Sequence, residues 1–506
     1  MHDFRSSLYV VGNLLVFFSL YMIIPGLVDL FYNGTDWVVF FIISSLSFFI
    51  GLNISFVFRN KKKDIGILQA FILTLICWSL LTLVGSLPFY LGSTSLSLID
   101  SFFESMSGIT TTGATVISNL DNTSKSILIW RSMLQWLGGI GIIVIAIAVF
   151  PILKVGGMQL FKTEYSARDD KVLPRTKTIA LGIGLVYLLL TFICFISLVI
   201  AGMNLFDAIA HAMTIIATGG FSTKNMSIGF FDSVLVETIT ACFMFVSALP
   251  FLLLFQCFKG KIIDILNNTQ VQFFFLTVLS LTLIITFWLQ KYYEVNFFQA
   301  LRISIFSVIS ITTGSGFSTY DFSEWGSFTT LILLFFMLIG GCSGSSSCGL
   351  KVFRMQILLK NALSLIKKII QPRGVFVPSY NSKVISTDIL SSVTGFFFLY
   401  ILVFSILTLM LSFDGLDLLT SLSGAAAALA NVGPGLSDSI GPSGNYSGIS
   451  DFSKIALSLA MLIGRLELYP ILILFSPILH ILIRFFYSIH SVTIFYIFTF
   501  SCQLPG

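Results

Sequence analysis

Hydrophobic residues come along this chain in long blocks, without the alternation of half-buried strands or the three-to-four spacing of surface helices. Uncharged or nearly uncharged runs fall at residues 8–32, 37–58, 66–92, 132–153, 178–203, 238–258, 268–290, 325–350, 389–413 and 452–483. A bilayer core about 30 Å thick is crossed by about 20 apolar residues in a helix, so the pattern predicts ten spans. Two of them are irregular. The stretch from Gly340 to Gly349 inside the eighth consists only of glycine, serine and cysteine, and the tenth carries Arg465 and Glu467 near its middle.

The polar positions repeat as well. After the third, fifth, seventh and ninth runs comes a half-apolar segment of about a dozen residues, too short to cross at 1.5 Å per residue. Each leads into a Gly/Ser/Thr-rich stretch: Ser107 to Ile117, Ala217 to Lys224, Thr312 to Asp321 and Ala430 to Asp438. Aligned on Gly113, Gly220, Gly316 and Gly433, they lie 107, 96 and 117 residues apart, which is an internal repeat. The expected fold is an all-α polytopic membrane protein: four pseudo-symmetric repeats of span, re-entrant half-helix and span around a central pore, plus an N-terminal two-span hairpin. The expected boundaries are 1–63 for the hairpin and 64–165, 166–262, 263–370 and 371–506 for the repeats, the third with the broken inner helix.

Composition narrows the function. Hydrophobic residues make up 56% and charged residues only 10%, against about 25% charged in soluble proteins, which excludes soluble enzyme folds for most of the chain. The net charge of +5 is spread among apolar blocks and implies no nucleic-acid partner. The seven cysteines are odd in number and scattered, unlike a disulfide framework or a zinc site. Only Arg5 precedes the first run, which lacks a cleavage site and is expected to stay in the mature protein. Twenty-one of the 28 basic residues fall on one side of the ten spans, among them Lys61 to Lys63 and seven from Lys351 to Lys383. By the positive-inside rule that side is cytoplasmic and holds both termini.

Non-helical backbone at membrane depth is tolerated only where protein buries it or where it lines a watery cavity. Four such loops around one axis meet that condition, and carbonyls turned inward replace the hydration shell of a cation. Glycine permits the backbone angles this requires, and the half-helices aim their negative C-terminal ends at the same place. Asp100, Glu104, Asp207, Asp321 and Asp438 near the outer mouths would raise the local cation concentration.

The motifs TTTGATV, ATGGFST, TTGSGFST and NVGPGLS, with GGCSGSSSCGLKVFR and GRLELYP, resemble the Trk-type bacterial potassium uptake subunit over essentially the whole chain. That superfamily includes the Ktr channels and the plant high-affinity potassium transporters. The resemblance implies potassium uptake through a four-loop filter, with K⁺ as transported ion and no cofactor in this chain. It assigns the ion-lining positions to Thr111, Thr112 and Gly113; Thr218, Gly219 and Gly220; Gly314, Ser315 and Gly316; and Asn431, Val432 and Gly433. Sodium-admitting members often carry serine at the position of Gly113, so its retention favours potassium. The third loop reads TGSGF where TTTGF is commoner.

The resemblance makes the Gly/Ser-rich break an intramembrane gate, with Gly340, Gly341, Gly344, Ser345 and Gly349 as its mobile residues. It places Arg465 in the pore below the filter, where a fixed positive charge restricts leakage. A charge near the centre of a span costs about 2.5–3.5 kcal/mol and marks function. His211 and His480 are read as packed or hydrogen-bonded residues. The basic stretch 351–383 is amphipathic and suits the headgroup region of membrane lipid; the resemblance makes it part of a docking surface for a cytosolic nucleotide-binding regulatory ring. It also implies a homodimer in a bacterial inner membrane. Two rivals remain: a sodium-selective or Na⁺-coupled member of the same superfamily, and an intramembrane serine protease built on the GxSG match at Gly341 to Gly344 with His480 as base.

Overall fold

In the computed structural model residues 5–59, 67–148, 172–381 and 383–468 are described. The far end of the tenth span, His480, and the basic residues Lys61 to Lys63, Lys154, Lys162, Arg168 and Lys171 lie outside them. The chain is helical. An N-terminal hairpin of α1 (Arg5–Phe31) and α2 (Trp37–Phe58) precedes four units. The first is α3 (Ile67–Leu91), short α4 (Leu98–Ile109) and α5 (Lys125–Ala148); the second is α6 (Val172–Ile200), short α7 (Leu205–Ile216), α8 (Val234–Ser247) and α9 (Phe251–Cys257). The third is α10 (Thr269–Tyr293), α11 (Phe297–Thr313), α12 (Gly326–Met337) and, after a break, α13 (Val352–Ile370). The fourth is α14 (Thr387–Phe413), short α15 (Leu418–Ala430) and α16 (Asp451–Arg465). A two-stranded antiparallel ribbon, β1 (Ser379–Tyr380) with β2 (Lys383–Val384), is the only sheet among the described residues.

The distribution of side chains is that of a protein solvated by lipid. Large apolar residues such as Phe17, Phe49, Leu185, Phe275 and Phe413 are exposed on the long helices. Serine and threonine fill the centre, where Ser101, Ser105, Thr110, Thr214, Ser304 and Thr313 have no exposed surface. Polar groups withdraw from hydrocarbon because each would be unsatisfied there. Helices approach closely through glycine: a Cβ on Gly51 would come within 2.9 Å of the Gly12 oxygen and of the Val16 nitrogen.

Each short helix is started by a capping side chain. Ser97, Asn204, Asn296 and Asp417 accept backbone N–H bonds from Asp100, Asp207, Phe298 and Thr420. Three of these helices have the expected dozen residues or so, and the third has 17. Two spans depart from expectation: the run 452–483 leaves the helix after Arg465, where Glu467 and Leu468 have positive φ (57° and 27°). The apolar run 238–258 is two helices, α8 and α9, meeting at 103°. Pro250 lies at the junction, where its missing N–H and its ring stop the helix.

Candidate functional site: four interlocked loops and the segment beneath them

The four short helices end in the same way. The last turn is followed by one residue in the left-handed region: Thr111 (φ 54°), Thr218 (52°), Gly314 (72°) and Asn431 (54°). The N–H of that residue bonds the carbonyl three positions back, on Gly108, Ile215, Ile311 and Ala428. The next N–H bonds the carbonyl five back, on Ser107, Thr214, Ser310 and Ala427, at 2.9 Å in every loop. This double closure is the Schellman motif. A β-branched residue in this conformation costs on the order of 1–3 kcal/mol, so at Thr111 and Thr218 the surroundings must over-determine it. The third loop keeps the common backbone despite its different sequence, because Gly314 takes the left-handed position.

Two residues further on stand Gly113, Gly220, Gly316 and Gly433, again with positive φ (90°, 81°, 74° and 102°). A Cβ on Gly113 would lie 2.3 Å from the Gly219 carbonyl oxygen, and one on Gly220 2.1 Å from that of Ser315. On Gly316 it would lie 2.0 Å from the Val432 oxygen, and on Gly433 2.6 Å from the Thr112 oxygen. The order of contact runs from loop one to two, two to three, three to four and four back to one. The twelve residues singled out from the sequence therefore meet in one closed ring with a carbonyl oxygen at each of its four seams. Glycine is required twice over, by φ and by close approach. Neutral oxygens in such an array suit a cation that sheds its water easily.

Polar side chains stand behind the ring. In loop one the Thr110 and Thr112 hydroxyls are 2.8 Å apart, and in loop three those of Thr313 and Ser315 are likewise 2.8 Å apart. In loop four Tyr446 donates to the Gly433 carbonyl at 2.8 Å, and Asn431 Nδ2 reaches Thr112 Oγ1 in loop one at 2.8 Å. Buried Arg131 and Glu104 pair at 2.7 Å. Glu104 accepts from the Val116 N–H, while Arg131 donates to the Ser222 carbonyl and to Thr115, and its guanidinium lies 3.9 Å from the Phe221 ring centre. His211 is hydrogen-bonded as expected: Nδ1 lies 2.8 Å from the Asp207 carbonyl and Nε2 2.9 Å from the Ser222 hydroxyl. That set fits a neutral ring with Nδ1–H donating.

The acidic residues do not crowd the mouth in the expected way. Glu104 and Asp207 are buried, the latter held by the Thr223 hydroxyl. Asp100 pairs with Lys454 at 2.6 Å. The cleft directly over the ring, which Gly113, Gly220, Gly316 and Tyr446 help to line, includes Arg131 and Lys224 but no carboxylate. Asp232, Glu237 and Asp321 line an adjoining cavity of about 630 Å³ that shares Asn225, Ser318 and Pro442 with it. Burial pushes the Asp321 carboxyl up, but hydrogen bonds from Ser323 and Ser443 outweigh it and hold the group below the ordinary value.

Under the inner ends of the short helices lies the break in the eighth span. Its base is pinned, Gly340 N–H to the Leu350 carbonyl and Leu350 N–H to that of Leu338. Gly340 is obligatory, since a Cβ there would lie 1.5 Å from the Cys348 oxygen, and Gly344 and Gly349 have φ of 77° and 74°. Gly341 N–H bonds Ser347, and Ser345 donates to the Cys342 carbonyl. The Ser346 hydroxyl is 3.1 Å from the carbonyls of Ile216 and Ser247 and 3.3 Å from the Thr218 hydroxyl, so the segment touches loop two directly. It also fills the α8–α9 kink: Cys342 N–H bonds the Ala248 carbonyl, and Phe251 N–H bonds that of Gly344. Arg465 is buried, with Nη1 at 3.0 Å from the Ser346 carbonyl and near Cys348 Sγ, and Nη2 at 2.8 Å from the Gly138 carbonyl. Glu467 pairs with Arg354, not with Arg465.

The TrkH family profile, a cation transport protein family, matches residues 38–480. The chain belongs to the TrkH family. The Trk system potassium uptake protein TrkI of Halomonas elongata is 40% identical over 410 residues, 81% of this chain and 83% of that protein. The TrkH proteins of Vibrio parahaemolyticus and Escherichia coli strain K12 are each 37% identical, covering 94% of this chain and 99% of theirs. The crystal structure of the potassium transporter TrkH from Vibrio parahaemolyticus superposes with a TM-score of 0.87 at 36% identity, covering 94% of this chain and 99% of that one.

A TrkH-family chain is thus a polytopic transporter of cations, not an enzyme. Its sequence leaves several site features unmarked. The α8–α9 kink signals itself only through Pro250 inside an apolar run. Arg131 is buried between loops one and two. Its spacing from Glu104, 27 positions across two helices, carries no local signal.

Proposed function

We propose that this protein takes up K⁺ across a bacterial inner membrane, through a filter formed by the four loops and closed beneath by the 340–349 segment. The observation that carries the reading is the cyclic contact of Gly113, Gly220, Gly316 and Gly433 with the carbonyls of the next loop. Four equivalent oxygens from one chain supply what four subunits supply in a tetrameric channel. The relatives named potassium uptake proteins and potassium transporter support K⁺ as the ion.

In this reading Thr111 to Gly113, Thr218 to Gly220, Gly314 to Gly316 and Asn431 to Gly433 line the ion path, and the chain divides into hairpin and four repeats at the four boundaries predicted from the sequence. Arg465 holds the segment containing Gly340, Gly341, Gly344, Ser345 and Gly349 against the inner mouth, and withdrawal of that segment opens it. Both termini are cytoplasmic. α13, with exposed Leu363, Ile366 and Ile369 beside Lys360, Lys367 and Lys368, faces the inner headgroups and a cytosolic nucleotide-binding regulatory subunit, and the protein works as a homodimer. Inward K⁺ movement gains about 2.3 kcal/mol per charge for each 100 mV, inside negative.

The test is growth of a potassium-uptake-deficient bacterium at low external K⁺, with the regulatory subunit co-expressed and Gly113→Ser alongside. Rescue by the wild type, with sodium entry through the variant, supports the assignment. Absence of rescue by a membrane-inserted wild type overturns it.

A further inference from the structure

The four loops are not braced alike. Loops one and three carry hydroxyls on both sides of the left-handed residue, Thr110 with Thr112 and Thr313 with Ser315, and each pair locks its own loop. Loop four has the Asn431 amide, bonded to Met461 and Thr112, and the Tyr446 hydroxyl on Gly433. Loop two has Ala217 and Gly219 at the corresponding places, so no such pair forms there, and the Thr218 hydroxyl turns back to the Ala217 carbonyl instead. A residue from another repeat takes over. Gln135, on α5 of the first repeat, is buried with its amide against the Gly219 backbone. Its Nε2 donates to the Gly219 carbonyl at 2.5 Å, and its Oε1 accepts from the Phe221 N–H at 3.1 Å.

The amide occupies the space a side chain on residue 219 would need: a Cβ there would lie 2.3 Å from Gln135 Oε1. Its orientation is set by its partners, because the Phe221 N–H can only donate and the Gly219 carbonyl can only accept. The carbonyl it grips is the one that Gly113 abuts at the seam of loops one and two. A carbonyl oxygen has two lone pairs, so the bond to Gln135 leaves one for a cation while fixing where it points.

Resting on the filter reading above, the geometry points to Gln135 as a positioning residue for ion selectivity: its amide stands in for the missing side-chain brace of loop two and sets the Gly219 carbonyl against the ion. Asparagine is a methylene too short to span both partners. Glutamate keeps the acceptor for Phe221 but loses the donor for Gly219 and sets oxygen against oxygen. Methionine keeps the length and loses both bonds.

The experiment is flux through the full-length chain in liposomes, comparing the ratio of Rb⁺ to Na⁺ entry for wild type, Gln135→Met, Gln135→Glu and Gly113→Ser. Loss of the bracket is expected to lower the ratio about tenfold in Gln135→Met, equivalent to about 1.4 kcal/mol. Gln135→Glu, which keeps chain length, is expected to lower it as well and carries the test if the methionine variant does not insert. A structural role alone would reduce both fluxes in proportion. An unchanged ratio in the Gln135 variants, with a lowered ratio in Gly113→Ser, overturns the role of Gln135 and leaves the filter standing. An unchanged ratio in all variants overturns the filter reading itself.

Discussion

The Glu104–Arg131 pair offers the sharpest test of how the first two loops are held. Both side chains are essentially without exposed surface, at 0% and 1%. Arg131→Met removes the 2.7 Å ion pair, the bonds to Ser222 and Thr115 and the stacking on Phe221, and leaves the Glu104 carboxylate buried with only the Val116 N–H and Thr115. Breaking a buried pair from one side costs about 3–5 kcal/mol, a large part of the 5–15 kcal/mol that holds a typical native state. Neutralising both sides removes the stranded charge, so Arg131→Met with Glu104→Gln should regain about 2 kcal/mol of the loss. The assay is thermal unfolding in detergent, followed by retention of the monodisperse species. The expected order of midpoints is wild type, then the double variant, then Arg131→Met. A double variant that melts below Arg131→Met, or an Arg131→Met midpoint equal to wild type, refutes the reasoning that the pair, not the packing around it, holds the loops.

Gly316→Ala puts a methyl 2.0 Å from the Val432 oxygen and is expected to abolish K⁺-dependent growth while the protein still reaches the membrane; growth at the wild-type rate would contradict the ring. Arg465→Gln weakens the hold on Ser346 and Gly138 and is expected to raise K⁺ leak severalfold in liposomes lacking the regulatory subunit, and an unchanged leak would count against a latch. Asp414, through the Ser450 and Ser453 hydroxyls, and Asp417, through Thr420, are held below the ordinary carboxyl value of 3.8 in the connection between α14 and α15. A depressed folded value means their contribution is complete above about pH 4 and fades as pH falls through the folded value. Unfolding midpoints should hold between pH 7 and 5 and drop below pH 4, and Asp414→Asn with Asp417→Asn should flatten that drop.

The repeat was legible in the sequence because its chemistry is local. Each loop needs glycine at a fixed distance from the end of a half-helix, so four stretches of like composition at nearly constant intervals announce themselves. The eighth span was legible for the same reason, since ten consecutive Gly, Ser and Cys residues cannot remain helical in lipid. The bend at Pro250 was not, because what stabilises it is the 342–344 backbone almost a hundred positions away, and hydropathy registers only apolar content. The acids were misjudged on similar grounds. Glu104 reads as a charge near an outer loop, while its partner Arg131 sits on the next helix and draws it under the surface. Gln135 gives no sign at all, being one amide in an otherwise ordinary span.

The contacts at the four seams all run the same way round, each glycine pressing on the carbonyl of the following loop and never of the preceding one. The ring therefore has a handedness, and damage in it has a direction. A side chain forced in at Gly220 displaces loop three before it disturbs loop one, although both are neighbours. Substitutions at these seams should be rescued from one side only, by a change in the loop downstream, and two lesions at opposite seams should be nearly independent where two at successive seams are not.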